Sequence, residues 1–230
     1  MTLEIATIER ARFYLNTDAP FFALVQKNSG LTAETVHEIA SEYLVRRNIG
    51  SRDELLVIAN HLNTEIASWP DDLANRAAWC LRQAAAIKKQ LNLHHTPFSA
   101  VTKLAWFLRP DDWTLYDSFA RKAIKSGGVG GIQQVTRFYK VLGEQGFLDA
   151  ANRIEQIFHG TSWSNLSGVR VLDAYMMWKG GYPFRLTSDA ARKGFLDALP
   201  GTGGQELSTL AARITTELAR HNFIKFVEQR

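Results

Sequence analysis

Apolar residues recur at i, i+3, i+4 and i+7 over 3–15, 32–48, 51–68, 71–92, 99–109, 132–146, 148–159 and 205–228. That spacing places them on one face of a helix. The stretches stop where Gly, Pro or small polar residues gather: TDAP, KNSG, NIGS, WP, HHTP, RPDD, KSGGVGG, FHGTSWSN, KGGYP and LPGTGG. SRDELL and PDDLANR put carboxylates into a first helical turn, where the helix dipole favours them. The β-favouring pieces WTLY and VRVL are too few for a sheet. The pattern predicts an all-α protein of about ten or eleven modest helices, with more than half its residues helical. There is no fixed-period repeat, no low-complexity tract and no long linker. Residues 1–230 therefore read as one all-α domain, with a soft lobe boundary near 126–131.

Composition narrows the class. The chain has 230 residues, 46 % hydrophobic and 22 % charged, enough apolar material for a substantial core. Its single cysteine, Cys80, excludes an intramolecular disulfide and a cysteine-based zinc site, and fits a reducing compartment. The N-terminal MTLEIATIERARFYL is charged and periodic, unlike a secretory signal. No apolar run approaches the roughly 20 residues that span a bilayer. A cytoplasmic protein without membrane contact is expected. A net charge of +4 permits a polyanionic partner without demanding one. His94 and His95 lack an acidic or histidine partner at metal spacing, so they read as loop residues and no metal is expected. No nucleophile elbow and no Walker motif occurs, and no cofactor is expected. RVLDAYMMWKGG at 170–181 reads as core, with Asp173 and Trp178 able to face a cleft.

One stretch departs from an ordinary pattern: SAVTKLAWFLRPDDWTLYDSFARKA, residues 99–123. Thr96 before Pro97 reads as a capped helix start with Pro at N1. On that helix Ser99, Lys103, Trp106 or Phe107, and Pro110 share a face, beside an apolar stripe of Ala100, Leu104 and Phe107. RPDDW ends the helix, TLY runs extended, and Asp117 caps the next helix, SFARKAIKS. Arg121 and Lys125 then share a face beside Lys122. A lysine in such a place ordinarily snorkels to water, and an aspartate before a helix ordinarily only caps it. Together they permit more. A partly desolvated lysine has a lowered pKa and is a nucleophile near neutral pH. A capping carboxylate stays ionised and can stabilise a developing cation. An amine and a fixed carboxylate suit attack at a sugar C1′ with formation of a Schiff base.

Lys103 followed by WTLYDSFARK resembles the helix-hairpin-helix DNA glycosylase superfamily, especially its 8-oxoguanine glycosylase-like branch. There a hairpin's second helix carries the catalytic lysine. A short extended segment leads to an aspartate, then Thr or Ser, a small apolar residue and a basic one. Here these are Tyr116, Asp117, Ser118, Ala120, Arg121 and Lys122, with Phe119 between. The close likeness covers about 30 residues; the all-α character extends it loosely over the rest. Where the family hairpin has Gly-x-Gly before the lysine, this chain reads TPFSAVTK, and Ser99 and Thr102 hydroxyls stand in for the phosphate contact. A second glycine-rich candidate, GGVGGIQQ at 127–134, has Ile132 or Gln133 at the lysine position.

The resemblance implies a two-lobed helix-hairpin-helix fold with a central cleft. It implies a DNA glycosylase, with a β-lyase step open to it, acting on double-stranded DNA that carries a damaged or modified base, in the nucleoid. Lys103 and Asp117 would be catalytic, converging on one sugar carbon and open to solvent. Ser99, Thr102, Arg121, Lys122 and Lys125 would bind DNA phosphates. Trp106, Phe107 and Phe223 would line the base pocket. The alternative is a non-catalytic all-α DNA-binding or interaction module in a defence or stress system.

Overall fold

The computed structural model describes residues 2–45, 51–110, 113–126 and 131–229. Helix makes up 72 % of it and no strand occurs among the described residues, so the all-α expectation holds. The helices run α1 (Leu3–Phe13), α2 (Ala19–Lys27), α3 (Ala33–Glu42), α4 (Arg52–Glu65), α5 (Leu73–Gln90), α6 (Phe98–Leu108) and α7 (Ser118–Ala123). They continue as α8 (Ile132–Glu144), α9 (Phe147–Phe158), α10 (Gly168–Lys179), α11 (Asp189–Asp197), α12 (Gly203–Leu218) and α13 (Asn222–Glu228). No helix among the described residues is long and apolar enough to cross a membrane.

The chain divides into two compact units, each built from separated segments. The α6 unit comprises Asn16–Tyr116 and Gly131–Tyr139. In it α6 packs against α2, α3, α4 and α5. Its starts are well signalled: Thr32 with Thr35 and Ser51 with Glu54 form reciprocal capping boxes, and Asp72 Oδ1 accepts the Asn75 N–H at 2.9 Å. The core is aromatic. Phe22 meets Trp106 and Phe107 at 4.8 and 5.0 Å between ring centroids, and Trp69 sits edge-on to Trp79 and Trp113. Such pairs add about 0.5–1.5 kcal/mol each beyond their buried area.

The α10 unit comprises Met1–Leu15, Asp117–Gly130 and Lys140–Arg230. Residues Gly168–Met176 of α10 are buried, including an ion pair of Arg170 with Asp173, and α10 packs against α1, α7 and α9. The expectation of a core segment at 170–181 is met over that part. Glycines permit two close approaches. A Cβ on Gly168 would fall on the Ala151 carbonyl of α9, and one on Gly204 on the Leu196 carbonyl of α11.

Several boundaries differ from the sequence pattern for identifiable reasons. The 32–48 helix ends at Glu42: Leu44 turns left-handed (φ 54°) and the Val45 N–H bonds back to the Ala40 carbonyl. Residues 46–50 lie outside the described ones. The 51–68 stretch is α4 followed by a 3₁₀ turn, Ile66–Ser68. The 205–228 stretch breaks at Ala219–His221 into α12 and α13. VRVL is helical inside α10, whereas WTLY has neither helix nor strand. Thr96 does not cap α6; Pro97 occupies the N-cap position, without a side-chain cap. The seam expected near 126–131 falls largely on 127–130, outside the described residues.

His221 caps α13 in an unusual way. Its Nδ1 accepts the Phe223 N–H at 3.1 Å while Nε2 faces Asp149 Oδ2 at 2.8 Å. The cap therefore needs the Nε2–H tautomer. The hydrogen bond from His221 is the main cause holding the Asp149 carboxyl below its ordinary range, with Arg153 adding to it. A carboxyl lowered in the fold adds stability that is present above its unfolded pKa of about 4 and lost as pH falls through its folded value. Wild type should therefore unfold later than Asp149→Asn at pH 6, and the two melting curves should converge at strongly acidic pH. The difference should stay within about 1 kcal/mol, because the aspartate is exposed. Thermal scans across pH check this; a constant difference at all pH values excludes the charge as its source.

Candidate active site

α6 is apolar on nearly every side, and Val101–Phe107 are all buried. Lys103 among them is 4 % exposed, so its amine does not snorkel. Nζ donates to Ser99 Oγ, one turn earlier, at 3.0 Å and to the Tyr116 carbonyl at 3.4 Å. The expectation that Lys103 stands open to solvent is corrected here. The ring of Tyr116 lies 5.3 Å from Phe98 and 5.4 Å from Phe138, and its hydroxyl donates to Gln134 Oε1 at 3.1 Å.

The segment 113–115 that delivers Tyr116 is buried and held at its start. Trp113 and Thr114 are 0 % exposed and Leu115 is 3 % exposed. Trp113 Nε1 donates to the Arg109 carbonyl at 3.0 Å, and the Tyr139 hydroxyl donates to the Thr114 carbonyl at 2.9 Å. The carbonyl that receives the Lys103 amine belongs to the peptide leading into Asp117.

Asp117 is the N-cap of α7, as expected. Its backbone is extended (φ −131°, ψ 146°) and Oδ1 accepts the Phe119 N–H at 2.7 Å. The carboxylate is half-buried. Lys103 belongs to the α6 unit and Asp117 to the α10 unit.

The other expected site residues separate into two groups. Ser99 does meet Lys103, but Thr102 is 0 % exposed and its hydroxyl donates to the Ser99 carbonyl at 3.0 Å, inside the helix. Trp106 and Phe107 are 1 % and 3 % exposed, and Phe107 is ringed by Phe21, Phe22, Tyr43 and Trp106. Phe223 is 0 % exposed and packs edge-on to Phe147 at 5.3 Å. In this conformation those three rings form core. α7 ends at Ala123 and Lys125 is left-handed (φ 46°), so Arg121 and Lys125 do not share a helix face. Lys122 and Lys125 are exposed and Arg121 is half-buried. Asp173 is buried beside Arg170, and Trp178 is half-buried under Lys179, whose Nζ stands 5.3 Å from its ring centroid. His94 and His95 are exposed, and no group of three or more metal-ligating side chains occurs among the described residues. Of GGVGGIQQ, only Gly131–Gln134 are described; Ile132 opens α8, 65 % exposed.

Sequence reasoning missed the Tyr116 carbonyl and Gln134, because neither is chemically conspicuous. It also missed the half-buried rings of Phe119, Tyr182 and Phe184 in the α10 unit, although GGYPFR sets two aromatics next to an arginine. Comparison with known proteins found no matching family model, no matching curated protein and no matching solved structure.

Proposed function

We propose that the protein is a DNA glycosylase with an associated lyase step, of the helix-hairpin-helix kind, with the two-lobed, clefted fold which that resemblance brings. The observation that carries the reading is the Lys103 amine. It is withdrawn from water and donates to Ser99 Oγ and the Tyr116 carbonyl, on a helix that leads through the buried segment 113–115 to a helix-capping aspartate. A lysine kept only for solubility or surface charge gains nothing from such burial.

In this reading the unprotonated amine attacks C1′ of one nucleotide. The C1′–N bond breaks, and the base departs with the electron pair and takes up a proton. Asp117 stabilises the positive charge that develops on the sugar. Loss of a proton from the adduct and opening of the sugar ring give an imine on Lys103. Elimination of the 3′ phosphate from that imine then nicks the strand. The base must first leave the duplex stack, which is least costly at a damaged or mispaired position. Repair and defence against modified phage DNA both fit this chemistry, as does residence on the nucleoid.

The test is to incubate the protein with duplexes carrying different oxidised or modified bases in the presence of borohydride. Reduction of the imine gives a covalent protein–DNA adduct. Absence of both adduct and released base on every lesion overturns the reading in favour of a non-catalytic DNA-binding module.

Arg121 and Lys125 supply charge to the same reading. Each phosphate contact steepens the dependence of affinity on salt, with a log–log slope of roughly 0.9 per contact. Joint Arg121→Glu and Lys125→Glu replacement should weaken binding to any duplex about equally and flatten that slope by about two contacts' worth. Unchanged affinity at low salt would assign both residues to the solvated surface.

A further inference from the structure

In the α10 unit, three rings outside the hydrophobic core stand together. Phe119 of α7 lies 5.4 Å from Tyr182, and Tyr182 lies 5.0 Å from Phe184, both pairs edge-on. All three are half-buried rather than enclosed. Lys122 Nζ stands 5.1 Å from the Phe119 ring centroid, and both Lys122 and Arg185 are exposed. We infer that this surface is a stacking platform for an unstacked nucleotide of a DNA strand.

The platform is held rigid from several sides. After α10, the Gly181 and Tyr182 N–H groups bond back to the Trp178 and Met177 carbonyls at 2.9 and 3.0 Å, with Gly181 left-handed (φ 93°). A Cβ on Gly180 would fall on the Phe119 carbonyl, so only glycine lets this turn sit against α7. Beyond Phe184, the Leu186 N–H donates to the buried Glu9 carboxylate at 2.9 Å. Arg192 donates to the Leu186 and Thr187 carbonyls at 3.0 and 2.9 Å. Both ends of the segment that bears Tyr182 and Phe184 are therefore fixed before any ligand arrives, which lowers the ordering cost of binding.

The occupant follows from the pairing of chemistries. Flat, partly exposed rings want a planar π face; exposed cations beside them want an anion. A nucleotide supplies both in one residue, and nucleic-acid sites without sequence preference are built this way. Base stacking on an aromatic is worth about 1–3 kcal/mol by alanine substitution. The inference rests on the DNA reading above, yet it can fail separately from catalysis.

The experiment uses the full chain with oligothymidylate containing one 2-aminopurine, intact duplex, oligouridylate and free thymidine monophosphate as probes. Tyr182→Leu and Phe184→Leu keep apolar bulk and remove the π face, so they preserve packing where alanine would not. Each should weaken oligothymidylate binding about tenfold or more and relieve 2-aminopurine quenching, while intact duplex binding holds. Wild-type affinity in both variants, or equal losses on single strand and duplex, overturns the platform. Tighter binding of oligouridylate overturns the assignment to DNA, and equal binding of the mononucleotide overturns the need for a strand. Borohydride trapping by wild type is read in parallel. Trapping with unaffected single-strand binding removes the platform alone; weakened binding without trapping leaves the platform and removes the glycosylase.

Discussion

Lys103→Gln should yield no borohydride-trapped adduct on any lesion-bearing duplex, while still folding and still binding DNA. Glutamine retains an amide donor that can reach toward Ser99 Oγ and the Tyr116 carbonyl, which accept from the lysine. It has no amine to form an imine, so the covalent route closes completely rather than slowing. The replacement sits among buried neighbours, and a cost of about 1 kcal/mol would lower the melting temperature by roughly 2–4 °C in a protein of this size. Duplex affinity measured beside the adduct assay separates the outcomes. Retained trapping would move the nucleophile to another amine. Loss of folding together with trapping would be resolved by Lys103→Arg, which keeps a long hydrogen-bond donor but forms no imine: if it folds and still traps, the proposed role of Lys103 is wrong.

Asp117→Asn should slow base release by on the order of 10²-fold or more, as loss of a preorganised charge does at other enzyme sites. Asparagine caps a helix about as well as aspartate, so the bond from the Phe119 N–H should survive and stability should hold. Asp117→Ala removes the cap as well and should cost about 1 kcal/mol of stability in addition. Single-turnover base release and thermal unfolding on the same two variants distinguish charge from cap. A wild-type rate in the asparagine variant would leave Asp117 a structural residue.

What could be read in the sequence was local. Asp117 was legible as a cap because an N-cap depends only on its own side chain and the next three residues. The breaks at Leu44 and His221 were not, because a left-handed leucine and a capping histidine are outside the usual turn and cap residues. α2 was missed because Pro20 looked like a stop, although it sits in the first turn, where proline fits. Trp106, Phe107 and Phe223 show the larger limit. Periodicity puts an aromatic on a helix, but only the packing partners decide whether its face is free, and Phe21, Phe22 and Phe147 cover these rings. Phe119, Tyr182 and Phe184 were illegible for the converse reason. More than sixty positions separate Phe119 from Tyr182 in the chain. They meet because Gly180 lets one backbone lie on another.

The segmented make-up of the α10 unit sets an order of events during synthesis. α1 packs on α10 and α12, and leaves the ribosome before either of them. At roughly 5–20 residues per second it waits on the order of ten to thirty seconds before α10 emerges. Throughout that interval Leu3, Ile8, Glu9 and Arg10, all buried in the finished protein, lack α10 and α12 to pack against. The residues Asn16–Tyr116 can gather meanwhile, since the helices they contain precede α7. A nascent chain stalled before α10 therefore exposes the apolar face of α1, Leu3 and Ile8 included, to water.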